Sequence, residues 1–335
     1  MKVLVTGGLG FIGSHTVVEL QQEGFEVIII DNLSNSKIEV LDQITSITGV
    51  KPQFEQFDLL DKEKVSNFFK LNKIDGVIHF AASKAVGESV EKPLLYYENN
   101  LSSLLHVLQA MLETSQDHFI FSSSCTVYGQ ADELPITESA PIKPAESPYG
   151  NTKKISEDIL TDTTKAHSFN AIALRYFNPI GAHPSAKIGE LPIGVPQNLI
   201  PYVTQTAAGI REQLSVFGND YPTPDGTAIR DYIHVVDLAK AHIVALRRLI
   251  DKKNKQKIEF FNIGTGKGSS VLEVINTFEK ATGQKLNYKI VARRAGDITA
   301  AYADTSLANT ELGWKAEKSL EDALHDAWLW QLQQK

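Results

Sequence analysis

Tyr149 and Lys153, four residues apart in Ser147-Pro148-Tyr149-Gly150-Asn151-Thr152-Lys153, are the side chains best suited to proton transfer. On a helix, residues at i and i+4 share one face. Pro148 suits a first helical turn, where its missing N–H would have been unpaired anyway, and Lys153 to Leu160 can continue the helix. A phenol titrates at roughly 10 in water, so base strength near neutral pH requires a nearby cation that favours the phenolate. Lys153 offers one. The same spacing also occurs on ordinary solvated helix faces, so the pair acquires meaning only from the elements that place it beside a ligand.

Those elements begin at the N-terminus. Lys2 to Thr6 reads as a buried strand, followed by Gly7-Gly8-Leu9-Gly10-Phe11-Ile12-Gly13, a helix from Ser14 to Glu23, and a strand from Glu26 to Ile30 that ends at Asp31. Strand, glycine loop, helix, strand and terminal acid have the layout of a dinucleotide site. Glycines allow a sharp turn and close approach to a pyrophosphate, and a helix N-terminus offers unpaired N–H groups. Asp31 would accept bonds from an adenosine ribose and repel a 2′-phosphate, which favours NAD over NADP.

The alternation continues through a strand from Gln53 to Phe57 ending at Asp58, a helix around Lys62 to Leu71, and a strand from Gly76 to Phe80. A long helix near Pro93 to Thr114 and a strand from His118 to Phe121 follow. This pattern predicts a parallel sheet covered on both faces, with ligands beyond the carboxyl ends of its strands. Gly7, Asp31, Asp58, Ala81-Ala82-Ser83-Lys84 and Ser122-Ser123-Ser124 fall there. Asp58 reads equally as a mere strand-end acid, and Lys84 as a solvated loop lysine. Leu101, Leu104, Leu105, Leu108, Met111 and Leu112 carry the spacing of an amphipathic helix; most of this reads as core packing, and with the Tyr149 helix it can also supply a helix-on-helix dimer contact.

Composition excludes several classes. With 335 residues, 42% hydrophobic and 22% charged, the chain suits one large or two ordinary globular domains. Its net charge of −7 gives no general attraction to nucleic acid or an anionic membrane. One cysteine, Cys125, excludes an internal disulfide framework, and no metal cluster is legible. The first strand lacks the layout of a secretory signal, and no apolar run is long enough to span a bilayer. A reducing, cytoplasmic location is the expectation. The basic run from Lys252 to Lys257 reads as a solvated loop.

Several motifs together carry a resemblance. They are Thr6-Gly7-Gly8-Leu9-Gly10-Phe11-Ile12-Gly13, His79-Phe80-Ala81-Ala82 with Lys84 to Ser89, and Phe121-Ser122-Ser123-Ser124-Cys125-Thr126-Val127-Tyr128-Gly129. The Tyr149 segment, Arg175-Tyr176-Phe177-Asn178-Pro179 and Arg230-Asp231-Tyr232-Ile233-His234-Val235 complete the set. Together they resemble the extended short-chain dehydrogenase/reductase family, and within it the nucleotide-sugar 4-epimerases, essentially end to end.

That resemblance implies an α/β fold: a Rossmann-type doubly wound parallel sheet over residues 1–177, with a smaller C-terminal α/β substrate-binding domain over 178–335. The chain is expected to return in part to the first domain around 230–260. It further implies that Tyr149 is the base, that Lys153 holds the nicotinamide ribose and favours the phenolate, and that Ser124 bonds the reacting sugar hydroxyl. NAD contacts are implied for Gly7, Gly10, Phe11, Ile12, Gly13, Asp31, Asp58, Leu59, Phe80, Lys84, Asn99 and Phe177. Without a cofactor, Phe80 and Phe177 would be ordinary core aromatics and Ser124 an ordinary strand-end serine. The implied activity is reversible 4-epimerisation of UDP-glucose and UDP-galactose through a 4-keto sugar, with NAD retained, and the implied assembly is a homodimer.

Related dehydratases place an Asp-Glu pair after the central hydroxyl residue, where this chain has Cys125-Thr126. Neither residue readily replaces a carboxylate in acid–base work near neutral pH, so water elimination lacks its catalyst. Cys125 reads as a small buried residue rather than a nucleophile. A non-catalytic NAD-binding sensor would not need Tyr149, Lys153 and Ser124 together.

After Asn178 the alternation loosens into Pro/Gly-rich loops, where specificity usually resides. The resemblance implies that Asn178, Asn198, Leu199, Phe217, Arg230, Tyr232, Arg294 and Asp297 line the UDP-sugar site. Arginine suits a diphosphate because its planar fork donates two bonds to phosphate oxygens. In the segment Gly296 to Asp304, the family place matching Ala301 holds a bulky tyrosine in narrow-specificity members and a small residue in broad ones. Ala301 therefore implies room for N-acetylated sugars as well. Leu320 to Gln333 reads as a packing helix.

Overall fold

A computed structural model describes residues 1–294 and 297–334; Gly296, at the head of the segment read for specificity, lies outside the described residues. The chain runs β1 (Lys2–Thr6), α1 (Phe11–Gln22), β2 (Glu26–Asp31), α2 (Glu39–Thr48), β3 (Gln53–Gln56), α3 (Lys62–Leu71), β4 (Gly76–His79), α4 (Val86–Glu91) and α5 (Pro93–Tyr97). A π-helical turn (Glu98–Ser102) leads into α6 (Ser103–Glu113), β5 (His118–Ser122), a 3₁₀ turn (Cys125–Tyr128), α7 (Pro148–Ala166) and β6 (Asn170–Tyr176). Then come β7 (Asn178–Ile180), α8 (Leu199–Ala207), β8 (Leu214–Phe217), β9 (Ile229–His234), α9 (Val235–Ile250) and β10 (Ile258–Ile263). The chain ends with β11 (Gly268–Ser270), α10 (Val271–Thr282), β12 (Tyr288–Val291), β13 (Ala300–Ala301), a second π turn (Ala308–Leu312) and α11 (Leu320–Leu332).

Seven strands form one parallel sheet in the order β10-β6-β5-β4-β1-β2-β3. The expected doubly wound sheet is present. Its strands are apolar on both sides because helices cover both faces. Val3, Val5, Ile29, Ile78 and Ile120 enter the core shared with Val17 and Leu20 of α1 and Leu238 and Leu246 of α9. Their neighbours Leu4, Ile28, Val77 and Phe119 point the other way, into the core with Val65 and Phe68 of α3, Leu104 and Met111 of α6 and Leu160 of α7. This is the period-two alternation of a strand. Each fully buried Leu, Ile or Val contributes roughly 1.5–3 kcal/mol.

Strand order reverses at β1 and β4, whose partners on their outer sides are β2 and β5. Loops leaving the carboxyl ends of β1 and β4 therefore diverge and open a crevice. The glycine loop fills one wall. Gly7 has φ +67°, and a Cβ there would lie 2.9 Å from the Ala81 nitrogen of the loop after β4. At Gly13 a Cβ would collide with the Gly7 carbonyl oxygen and Gly8 Cα, so α1 can pack against the loop only without a side chain. That tight packing lets α1 begin at Phe11, earlier than the Ser14 read from sequence.

The helix expected across Pro93 to Thr114 is interrupted by the π turn at Glu98–Ser102. Asn100 explains the bulge. Its Oδ1 accepts from the Ser83 backbone N–H (2.7 Å), while Nδ2 donates to Ser83 O (3.0 Å) and Thr152 Oγ1 (3.1 Å). A π turn inserts an extra residue into the helix and re-aims side chains, here toward the loop after β4 and toward α7.

The later strands form a four-stranded sheet, β11-β9-β13 with β7 also on β9, and a separate parallel pair, β8 with β12. They pack with α8, α10 and α11 around Val203, Val216, Phe278 and Trp328. Ser319 and Asp322 form a capping box at the start of α11. Buried Asp231 in β9 ties this region together by accepting from Thr265 N–H (2.8 Å), Thr265 Oγ1 (2.7 Å), Gly266 N–H (3.1 Å) and Ala303 N–H (3.2 Å).

Candidate active site

Ser147 caps α7 by accepting from Gly150 N–H (3.2 Å), and Pro148 occupies the first turn, so the helix starts where the sequence predicts. Its first turns place Tyr149 and Lys153 beside the end of β5. Lys153 Nζ donates to Ser122 O (2.6 Å) and lies 4.9 Å from the Phe121 ring centre. The Ser124 side chain lies near the Tyr149 phenol, and its hydroxyl accepts from Thr126 N–H at 3.2 Å. Ser122 Oγ pairs with Tyr176 Oη at 2.7 Å. The structure thus brings Ser124, Tyr149 and Lys153 together, all buried.

Burial governs their protons. It pushes the Tyr149 phenol well above its ordinary range, Tyr176 nearby adds to this, and the Ser124 contact offsets part of it. Burial pushes Lys153 down to about 8, against the pull of the Glu157 carboxylate. Without a ligand in the crevice, burial thus favours the neutral Tyr149 phenol. His79, in β4, is pushed down to about 3 by burial and is neutral. The Cys125 thiol is pushed up to about 12 by burial and is no nucleophile. Thr126 Oγ1 is buried without a partner.

The crevice has the features a dinucleotide needs. No side chain caps the first turn of α1 at Gly10, leaving Phe11 and Ile12 at an open helix N-terminus. Asp31 ends β2, accepting from Leu33 N–H (2.9 Å), Ser36 Oγ (2.8 Å) and Leu9 N–H (3.1 Å). Asp58 accepts from Asn32 Nδ2 (2.8 Å) and Leu60 N–H (2.9 Å), which joins the ends of β2 and β3. Leu59 is buried, and its carbonyl accepts from His106 Nδ1 at 2.8 Å. Phe80 packs on His242, ring centres 4.7 Å apart. Asn99 Nδ2 donates to Ser83 Oγ (3.2 Å). Phe177 is buried among Val127, Tyr128, Ile136, Ala301 and Ala303.

The remaining expected residues form a second cluster. Arg230 donates to Asp297 (2.5 Å) and to Ile229 O (2.8 Å). Arg294 lies 3.5 Å from the other Asp297 oxygen and 5.4 Å over the Phe217 ring. One carboxylate thus holds two guanidiniums together, a geometry suited to a diphosphate. Asn178 and Tyr232 face each other in the β7–β9 ladder; burial pushes the Tyr232 phenol up to about 12. Asn198 stands at the N-cap position of α8, before Leu199, with no side-chain capping bond. Ala301 pairs with Arg230 in the β13–β9 register and is buried against Val127, Tyr128 and Phe177.

Glu190 escaped the sequence reading. It accepts from Asn198 Nδ2 (2.7 Å) and pairs with Lys84 (3.5 Å), joining the loop after β4 to the loop before α8. No local pattern marks it, because its charged partner Lys84 is remote in sequence. Lys84 is half exposed and engaged with this acid rather than with solvent alone.

A parallel sheet with a glycine loop at its strand-order reversal, and Ser124, Tyr149 and Lys153 at the same mouth, define an extended short-chain dehydrogenase/reductase. Residues 4–327 match the family model described as GDP-mannose 4,6 dehydratase. UDP-glucose 4-epimerase of Bacillus subtilis is 51% identical over 332 residues, covering 99% of this chain and 97% of that one. The crystal structure of a Stenotrophomonas maltophila UDP-glucose 4-epimerase, with bound NAD and formylated UDP-arabinopyranose, aligns with a TM-score of 0.96 at 48% identity, covering 100% of this chain and 98% of that chain. A Bifidobacterium longum UDP-glucose 4-epimerase in complex with NAD+ and UDP aligns at 0.94 and 49% identity, covering 99% and 98%. The chain belongs to the UDP-glucose 4-epimerase family.

In the NAD-free protein, raising the pH through about 8 should remove the Lys153 proton before Tyr149 ionises. Ultraviolet difference titration against Tyr149→Phe checks this; a Tyr149 phenolate band already developed at that pH would contradict it.

Proposed function

We propose that this chain interconverts UDP-glucose and UDP-galactose by oxidising and re-reducing carbon 4 of the sugar, with NAD retained between turnovers. The reading is carried by Ser124, Tyr149 and Lys153 converging at the crevice while no carboxylate follows Ser124. Tyr149 accepts the proton of the 4-hydroxyl and later returns it to the same oxygen. Ser124 bonds that oxygen, and Lys153 supplies local positive charge and a donor for the nicotinamide ribose. NAD, when bound, supplies the acceptor and donor of the hydride together with a positive ring charge that aids the phenolate. The glycine loop, Phe11 and Ile12 would hold its pyrophosphate, with Asp31, Asp58, Leu59, Phe80, Lys84, Asn99 and Phe177 around the rest.

Arg230 and Arg294 grip the diphosphate, and Asn178, Asn198, Leu199, Phe217, Tyr232 and Asp297 line the uridine and sugar. A firmly held nucleotide leaves the keto sugar free to present its other face, so hydride return inverts carbon 4. Elimination is disfavoured because Cys125 stays a thiol and Thr126 bears no carboxylate. Residues 1–177 serve as the NAD unit, joined by part of 230–260, and 178–335 mainly as the UDP-sugar unit. Support for this division comes from β10 lying in the seven-stranded sheet.

A small residue at the Ala301 place goes with broad specificity in the family this chain resembles, so N-acetylated UDP-sugars are also substrates. Exposed Leu94, Leu95, Val90 and Leu105 on α4 to α6 offer an apolar face for a homodimer. Among the described residues no helix is long and apolar enough to cross a membrane, and a cytoplasmic location suits the lone thiol.

Purified enzyme given UDP-galactose and no added NAD should yield UDP-glucose. In the same assay Tyr149→Phe should turn over roughly 100- to 10,000-fold more slowly; no product even after NAD is restored to the wild-type enzyme would sink the reading. Ala301→Tyr should abolish turnover of the N-acetyl sugars while keeping that of UDP-galactose, and wild-type inactivity on N-acetyl sugars would refute the broad specificity. Sedimentation equilibrium should give twice the chain mass, and a monomeric mass rules the homodimer out.

A further inference from the structure

Three successive serines at the end of β5 are each engaged by one stripe of α7. Tyr149 lies near the Ser124 side chain, Lys153 Nζ donates to Ser122 O (2.6 Å), and Glu157 Oε1 accepts from Ser123 Oγ (2.6 Å). Positions 149, 153 and 157 follow the i, i+4, i+8 rule of a helix face. Glu157 is itself buried and is gripped from behind by Arg175, whose Nε donates to Oε1 (2.9 Å) and Nη2 to Oε2 (2.7 Å). Arg175 is held in turn by Tyr128 Oη (2.9 Å) and lies over the Phe260 ring at 4.6 Å.

We propose that Glu157 is a positioning residue of the reaction, which fixes Ser122–Ser124 against the Tyr149–Lys153 face and balances the charge of Lys153. The inference rests on the reading of Tyr149 and Lys153 as the reacting pair. Geometry alone gives the first part. A one-residue slip of the serine run would carry Ser124 away from Tyr149; the β5–β6 ladder and the Ser122–Tyr176 bond hold Ser122, and the Ser123–Glu157 bond holds the next residue, beyond the ladder. Electrostatics gives the second. The groups facing Lys153 are Tyr149 and Glu157 on its own helix, the Ser122 carbonyl and Phe121 ring from β5, His79 from β4 and Tyr176 from β6. Of these only Glu157 carries negative charge while the tyrosines are protonated and His79 is neutral. Arg175 cannot release its proton, so removing the carboxylate leaves two buried cations, of which only Lys153 can yield.

In the NAD-loaded enzyme, Glu157→Gln should lower kcat roughly 10- to 100-fold, leave KM for UDP-galactose within about twofold, and move the alkaline limb of the kcat–pH profile to lower pH. Ser123→Ala, which spares the ion pair, should lower kcat roughly 5-fold with little change in melting temperature, and decides the case if Glu157→Gln does not fold. Unchanged kcat in Ser123→Ala, or a Glu157→Gln enzyme that melts earlier with kcat and pH profile intact, overturns the inference and leaves Glu157 purely structural. Wild-type turnover in Tyr149→Phe would instead overturn the reading of the reacting pair on which it rests.

Discussion

Parallel pairing of β1 with β4, which sets Thr6 opposite His79, is the constraint from which the site follows. Because β2 and β5 flank this pair on opposite sides, the loops leaving it must part, and only there is backbone free to surround a ligand. The Gly7 turn lies against Ala81 so closely that the two walls define each other. Everything downstream is arranged about that opening. β5 delivers the serines next to it, α7 folds over the serines, and the π turn carries Asn99 and Asn100 to its rim.

Two physical regimes meet across the crevice. On the sheet side, Ser124, Tyr149 and Lys153 are buried, and burial raises the Tyr149 phenol and lowers the Lys153 ammonium. On the far side, Arg230 and Arg294 share Asp297, and Lys84 shares Glu190 with Asn198. Those groups already have partners.

Much of this was legible in the sequence, for reasons that differ by residue. Lys62–Leu71 forms its helix over the residues read, since Asp61 caps it and Val65, Phe68 and Phe69 give it one apolar side. Gly7, Gly10, Gly13 and Asp31 were readable because strand, loop, helix and acid are contiguous. The start of α1 at Phe11 was missed, since glycine at position 13 argues against helix until its packing on Gly7 is known. The π turn was hidden because it depends on Ser83 and Thr152, far from Asn100 in sequence. Glu157, Arg175 and Glu190 look like ordinary surface charges in a one-dimensional reading. What makes them internal is the fold, which brings partners 18 to 106 residues away into contact.

The short parallel pairing of Ala301 with Arg230 ties two properties that selection would otherwise tune separately. A change of side-chain size at 301 presses on Val127, Tyr128 and Phe177, and its backbone is laddered to Arg230, which donates to Asp297. A larger residue at 301 is therefore expected to travel with compensating changes along β9 and around Asp297, so that packing at 301 and the Arg230–Asp297 pair vary together.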